Sequence, residues 1–415
     1  MMHLMNYEGN MVMKHIILSL LVLVSVAACG GGSSSKDGDK DTNNPPQISG
    51  SPETFLKAGT AYTFTPAAND TDGDTITFGI TNKPDWASFD TSTGTLSGTP
   101  PKGFYRNIVI TASDGEDTQS LPEFEIAAAE LLLLKTGQTG CWNSAGTSVS
   151  CTSTYQDGET QSGADPDFTA NTSDSTVTDN VNGMIWHNLA SPTTQTYAAA
   201  NTLCENSTIG SNTWRLPDIS DIEMTADYGK SSAPFLNDSF TNYASGAYWT
   251  SRESYGTTGY FWTINFGTGV QNTDIKDNSN YYRCVSGSSS TLGSFTRDSS
   301  NGIVYDSRTG LQWADQSLVS KTWTDALTYC SSLTYGGYSD WRLPNIRELN
   351  SISYRASASP ALSTAFQYPA NSFFWSSTTY QITKTSAWGV DFTTGMGMTS
   401  AKTGSSYLKC VRGGQ

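Results

Sequence analysis

Apolar and polar residues alternate along "AYTFTP" (Ala61–Pro66) and "TITFGI" (Thr75–Ile80). This alternation places Tyr62, Phe64, Ile76, Phe78 and Ile80 on the inward faces of short strands. The Asp-Gly-Asp at Asp72–Asp74 reads as a hairpin-type turn, because Asp-Gly tolerates positive φ. "DWASFDTSTGTLSGTP" then offers Trp86 and Phe89 as core aromatics, and "NIVITASDGE" a last strand with its turn. Short strands at this spacing predict a β-sandwich from Pro45 to about Ala128.

Further along, the pattern repeats itself. "STVTDNVNGMIWHN" matches "NGIVYDSRTGLQWAD" through Val177/Val304, Asp179/Asp306, Gly183/Gly310 and Trp186/Trp313. "TYAAANTLC" matches "TWTDALTYC", and the tetrapeptide WRLP follows at Trp214–Pro217 and Trp341–Pro344. "YWTS" then matches "FWSS", "FWTINFGTG" matches "AWGVDFTTG", and "YYRCVSG" matches "YLKCVRG". The offset holds at 126 or 127 residues throughout, which marks a duplicated domain.

In each copy Thr196 or Thr322 can cap a helix. One helix carries Ala199, Leu203 and Cys204; the other carries Ala326, Leu327 and Cys330. After WRLP, Asp218 and Asn345 can cap a second helix. Glu348 then stands at capping-box spacing, and Asp221 serves as an acidic first-turn residue. Proline forces the leucine before it into an extended conformation, so WRLP predicts a strand-to-helix corner. Trp214 and Trp341 are expected in the core, with Arg215 and Arg342 paired to carboxylates. Trp262, Ile264 and Phe266, like Trp388, Val390 and Phe392, alternate as strands.

The N-terminus carries an address. Lys14 precedes "IILSLLVLVSV", too short to span a bilayer but suited to a signal peptide, and "VAAC" ends at Cys29 like a lipobox. The expected organisation is a signal peptide over 1–28, lipidation at Cys29, and a flexible tether over 29–46. A sandwich over 47–128 and repeats over 129–287 and 288–415 follow. No Asp follows Cys29, which in such lipoproteins favours the bacterial outer membrane.

Six further cysteines in an exported chain predict disulfides. Cys204 to Cys284 and Cys330 to Cys410 are each 80 positions apart at equivalent repeat positions, so the predicted bonds are Cys204–Cys284 and Cys330–Cys410. Cys141–Cys151 closes a small loop unique to the first copy. Two autonomous modules, each pinned by its own bridge, are therefore expected.

The sandwich signatures "NDTDGDTITF", "TGTLSGTP" and "ASDGE" resemble immunoglobulin-like, cadherin/dystroglycan-type domains of bacterial surface proteins. The repeat resembles the C-terminal domain family of the Legionella collagen-like adhesin. It does so through "DNVNGMIW" and "DSRTGLQW", the WRLP corners, "YWTS" and "FWSS", the Cys-Val endings, and an introductory "KTGQTGCW…YQDGETQSGADPDF" before the first copy. The resemblance implies a mainly β chain with α+β modules: an immunoglobulin-like sandwich followed by two C-type-lectin-like domains. The collagen-like stretch and the sugar-and-calcium triplets of C-type lectins are absent.

Net charge of −15 excludes nucleic acid, heparin-like polyanions and anionic lipid as direct partners, since like charges repel. Charged residues make up 15% of a chain with 38 glycines, a composition suited to a strand- and loop-rich extracytoplasmic protein.

Candidate chemistry is sparse. Asp70, Asp72, Asp74 and Asp114 could supply calcium ligands, although Asp-Gly turns alone account for these letters. Trp249 and Trp375 are candidate platforms for a ligand such as a sugar, against the alternative of core packing. His187 reads as a surface histidine, and Asp165 and Asp167 as solvated turn residues. The function expected is a non-enzymatic, lipid-anchored surface protein binding a glycan or extracellular protein, with carbohydrate binding and cell adhesion as its theme. A structural envelope protein is the alternative, and a polysaccharide hydrolase ranks third.

Overall fold

The computed structural model describes residues 43–188, 193–210, 212–287, 293–357 and 359–414. The expected signal peptide, Cys29 and almost all of the tether lie outside the described residues.

The first sandwich packs one sheet against another. One sheet orders Phe55–Lys57, Phe124–Ala129, Gly103–Ser113 and Thr77–Thr81 side by side; the other orders Tyr62–Phe64, Leu96–Gly98 and Ala87–Phe89. Phe55–Lys57 runs parallel to Ala127–Ala129, while the remaining pairs are antiparallel. Leu56, Tyr62, Leu96, Ile108, Ile110 and Ile126 fill the space between. Trp86 and Phe89 pack against that core from its edge, half-buried.

Each repeat is an α+β unit with two small sheets. In the first, Phe168–Asn171, Thr176–Asp179, Ile185–His187, Val285–Ser286 and Trp214–Arg215 form one sheet; Ala247–Glu253, Tyr260–Asn265 and Gln271–Ile275 form the other. The second repeats the plan, with Phe373–Thr379, Ser386–Asp391 and Met396–Ala401 as its hairpins. Even the irregularity is copied: the register slips between Trp249 and Glu253, and again between Trp375 and Thr379.

The helices start where the caps dictate. Thr196 and Thr322 cap Tyr197–Glu205 and Trp323–Ser331. Asp218 and Asn345 cap Ile219–Glu223 and Ile346–Ser351, both with full capping boxes, so Asp221 does the work expected of a longer Glu. Leu203 departs from expectation. It is 46% exposed, and Ala200 and Cys204 carry the buried face instead.

The WRLP corners are as the proline requires. Trp214 and Trp341 are each 2% exposed, and Arg215 meets Asp221 at 2.8 Å while Arg342 meets Glu348 at 2.6 Å. Upstream, Asp306 holds the turn ending at Gly310 by accepting the Arg308 N–H. Gly310 sits at φ +70°, and a Cβ there would lie 2.5 Å from the Phe55 ring. Glycine at this position thus serves both the turn and the docking of the sandwich.

The two repeats, expected as autonomous modules, share a core in the structure. A continuous apolar core takes Trp186, Ile219, Ile264 and Phe266 from the first repeat and Trp313, Ile346, Val390 and Phe392 from the second. Tyr228 packs edge-on to Trp388 at 5.3 Å, and in the mirrored place Arg355 stacks over Trp262 at 5.1 Å. Between them the buried Glu223 carboxylate accepts from Tyr228 at 3.2 Å and from the Asn350 amide. Each repeat keeps a smaller cluster of its own around its disulfide, but the larger core is common to both, and the helices Ile219–Glu223 and Ile346–Ser351 contribute to it from either side. From Asn44 onward the chain clusters as one compact unit, sandwich included.

Candidate functional site

The structure separates the candidate residues sharply. Asp70, Asp72 and Asp74 do converge, with oxygens within 4.8 Å of one another. Asp114 is not in that group, and its Oδ1 receives the N–H groups of Glu116 and Asp117. Asp70 Oδ1 accepts three backbone N–H groups, and Asp72 holds the Asn44 amide. Turn chemistry therefore already uses much of this cluster.

Trp249 and Trp375 are 0% exposed, so neither ring has a face on which a sugar could stack. Their indole N–H groups donate to the carbonyls of Gln195 at 2.8 Å and Lys321 at 3.0 Å. They are core anchors, not platforms. Trp249→Phe should cost about 1 kcal/mol by removing one of the two hydrogen bonds that the Gln195 carbonyl accepts, the other coming from the Asn280 N–H. In urea melts this appears as lost stability, and any ligand affinity should stay unchanged.

His187 is not on the surface. It is 8% exposed, lies 4.1 Å from the Trp214 ring and bonds Ser207 at 3.0 Å. Burial, with the Arg283 charge second, pushes its pKa down to about 4, so it is neutral at physiological pH. Disulfides join Cys141 to Cys151, Cys204 to Cys284 and Cys330 to Cys410. Each long bridge stays inside its repeat. Asp165 pairs with Lys135 in the open, and Asp167 holds Asn180.

Among the described residues, two of the solvent-open clefts are lined by charged side chains. The first, of about 610 Å³, lies between the sandwich and the second repeat. Its floor is a network on Arg412, whose guanidinium meets Glu125 and Asp340 at 2.7 Å each and lies 3.6 Å over the Tyr338 ring. The second, of about 550 Å³, lies on the first repeat and is lined by Asp218, Arg252, Glu253, Tyr255 and Arg355, among others. There Arg252 meets Asp218 at 2.6 Å, and Arg355 reaches across from the second repeat.

The introductory segment behaves unexpectedly. It precedes the first repeat but packs on the second. Gln138 brackets Thr379, donating to its carbonyl at 2.8 Å and accepting its N–H at 3.0 Å. Asp157 accepts hydroxyls from Thr136 at 2.6 Å and Thr378 at 2.7 Å. Lys402, 1% exposed, donates to the Trp142 carbonyl at 3.1 Å and lies 4.0 Å over Trp323. Burial pushes the Lys402 pKa down to about 7.

Asp157 is fully buried, and burial pushes its pKa up to about 6 despite the two hydroxyls. A carboxyl group with a raised folded pKa adds stability below its ordinary value of 3.8 and loses it as pH rises through about 6. Asp157→Asn should therefore flatten this pH dependence, removing a slope worth on the order of 2–3 kcal/mol across that window. Denaturation midpoints at pH 4, 5, 6 and 7, wild type against variant, are the check.

Sequence reasoning missed Asp157, Arg252 and Arg355. The available signal was asymmetry: the introductory segment occurs before one copy of the repeat and not the other.

The Lcl C-terminal domain family matches residues 175–286 and 302–412, together more than half of the chain. The chain belongs to that family. Residues 45–128 match the family described as "Putative Ig domain". No curated protein matches the chain.

Among solved structures, the chain is similar to a "putative alpha-galactosidase" from Bacteroides fragilis at 20% identity and TM-score 0.19. That match covers 25% of this chain and 21% of the other. It is also similar to human protocadherin-24 EC1-2 at 15% identity and TM-score 0.18, over 24% and 47% of the two chains. The SrpA adhesin of Streptococcus sanguinis is 14% identical with TM-score 0.20, over 35% and 87%. These scores are too low to transfer anything beyond local likeness. Among the described residues no helix is long and apolar enough to cross a membrane. The disulfides belong to a chain that works outside the reducing cytoplasm.

Proposed function

We propose that this Lcl-family chain is a lipid-anchored adhesin of the bacterial outer membrane, tethered through Cys29, that binds a glycan or an extracellular protein and is not an enzyme. The observation that carries the reading is the fusion of two Lcl repeats and a sandwich into one disulfide-pinned body with two solvent-open polar clefts. A rigid body with preformed clefts loses little conformational entropy on binding. Consistent with a binding role, six cysteines form bridges, and His187 is buried, neutral and bonded.

The test is binding of the whole chain to arrays of neutral, acidic and sulfated glycans and of extracellular matrix proteins. Saturable binding to one class supports the reading. A blank across all of them rejects it in favour of a structural envelope role. A calcium ion at Asp70, Asp72 and Asp74 is part of the proposal; a melting temperature identical in calcium and in chelator removes that part.

A further inference from the structure

The repeats are built alike, yet one face of them is treated differently. In the second repeat, the end of Phe373–Thr379 is covered by the introductory segment, and Thr378 and Thr379 are 0% exposed. The corresponding strand of the first repeat, Ala247–Glu253, ends in Arg252 and Glu253 at the same offset of 126. Arg252 is half-buried, Glu253 is exposed, and Tyr255 just beyond is 57% exposed. Asn345, which grips the Ser162 carbonyl at 3.1 Å, corresponds to Asp218. Tyr228, whose N–H donates to the Thr136 carbonyl at 2.8 Å, corresponds through the Trp388 and Trp262 contacts to Arg355. The first-repeat cleft is thus the same place that the second repeat fills with its own chain.

We infer that the open cleft of the first repeat is a receptor for an acidic peptide turn of a partner protein, seated as the Asp157 turn is seated on the second repeat. The inference rests on the binding role proposed above and names its ligand class. A peptide is favoured because the filled site grips main chain: the carbonyls of Trp142, Ser162 and Thr136 all accept bonds there.

An acidic residue is favoured by the exchange of Thr378 for Arg252. In the filled site Thr378 donates to the Asp157 carboxylate; in the open one a guanidinium stands at that strand position, held by Asp218 through Nε and Nη2. A second guanidinium, Arg355, is 4% exposed and lines the same cleft; its Nη2 donates to Gln271 at 2.9 Å, its Nε has no partner, and Asp218 and Glu253 share the lining. Guanidinium–carboxylate bonds are among the stronger and more directional polar contacts, so a ligand carboxylate can compete with Asp218 for Arg252 where a neutral group cannot. Tyr255 adds an aromatic rim for the apolar part of a turn.

The probe is a labelled peptide of residues 134–164, closed by its Cys141–Cys151 bridge, titrated against the whole chain by fluorescence anisotropy. Wild type should bind it saturably. Affinity should fall about tenfold or more with Arg252→Gln in the chain, and equally with Asp157→Asn in the peptide. If Arg252→Gln melts early, Tyr255→Ala on the exposed rim carries the test and should weaken binding severalfold. No binding at about millimolar peptide overturns the inference. So does binding that survives Arg252→Gln but falls with Thr378→Val, since the peptide would then be exchanging into the second repeat. A ligand found on the arrays with no peptide binding rejects this inference alone; arrays and peptide both blank reject the adhesin reading too.

Discussion

Removing the Cys330–Cys410 bridge by Cys330→Ala with Cys410→Ala should destabilise the chain by about 4–5 kcal/mol. The bridge spans 80 positions and ties the helix Trp323–Ser331 to the chain just before the last strand, Val411–Arg412. Cutting it frees a long loop in the unfolded chain, whose added conformational entropy is the main source of the loss in the chain-entropy model. Both sulfurs are also fully buried among Trp323, Leu327 and Trp341, so alanine leaves a small void. Because the two repeats share a core, the loss should appear in both together. Guanidinium denaturation followed by tryptophan fluorescence reads the size. A double variant that melts within about 1 kcal/mol of wild type would place the stability elsewhere.

Trp388→Ala should cost about 3–5 kcal/mol, the range for emptying a buried aromatic site. Trp388 is 1% exposed, packs on Tyr380 within its own repeat at 5.0 Å, and meets Tyr228 of the other at 5.3 Å. Gly269 of the first repeat also closes on its ring; a Cβ there would lie 3.2 Å from it. The cavity would therefore open on the junction, where neither repeat can collapse into it alone. Hydrogen exchange should speed up at Ile264 and Phe266 as well as at Val390 and Phe392. Faster exchange confined to the second repeat would mean that the junction contributes little.

Much of this was legible in the chain. The duplication, the caps at Thr196, Thr322, Asp218 and Asn345, and the strand-to-helix corner at WRLP rest on local rules, and local rules can be read from neighbouring letters. Burial of Trp214 and Trp341 was expected from their place at the corner between the two helices. What the letters concealed was partnership between distant segments. Trp249 and Trp375 looked like ligand platforms because an aromatic on a strand reads the same whether its ring meets solvent or the helix before it. His187 looked superficial because its covering residues, Trp214 and Ser207, are remote in sequence. The introductory segment reads as a preface to the first repeat, yet Asp157 and Gln138 bond to Thr378 and Thr379, more than two hundred positions away. The caps at Asp218 and Asn345 located the helices Ile219–Glu223 and Ile346–Ser351, but not that both would contribute to one core.

The most direct measurement is the folding of the second repeat by itself, residues 293–414 with the Cys330–Cys410 bridge formed, observed by circular dichroism and amide proton spectra. A shared core predicts poor dispersion and no cooperative melt, with order returning when residues 129–287 are supplied in trans. A well-dispersed spectrum and a melting temperature matching the intact chain would contradict it.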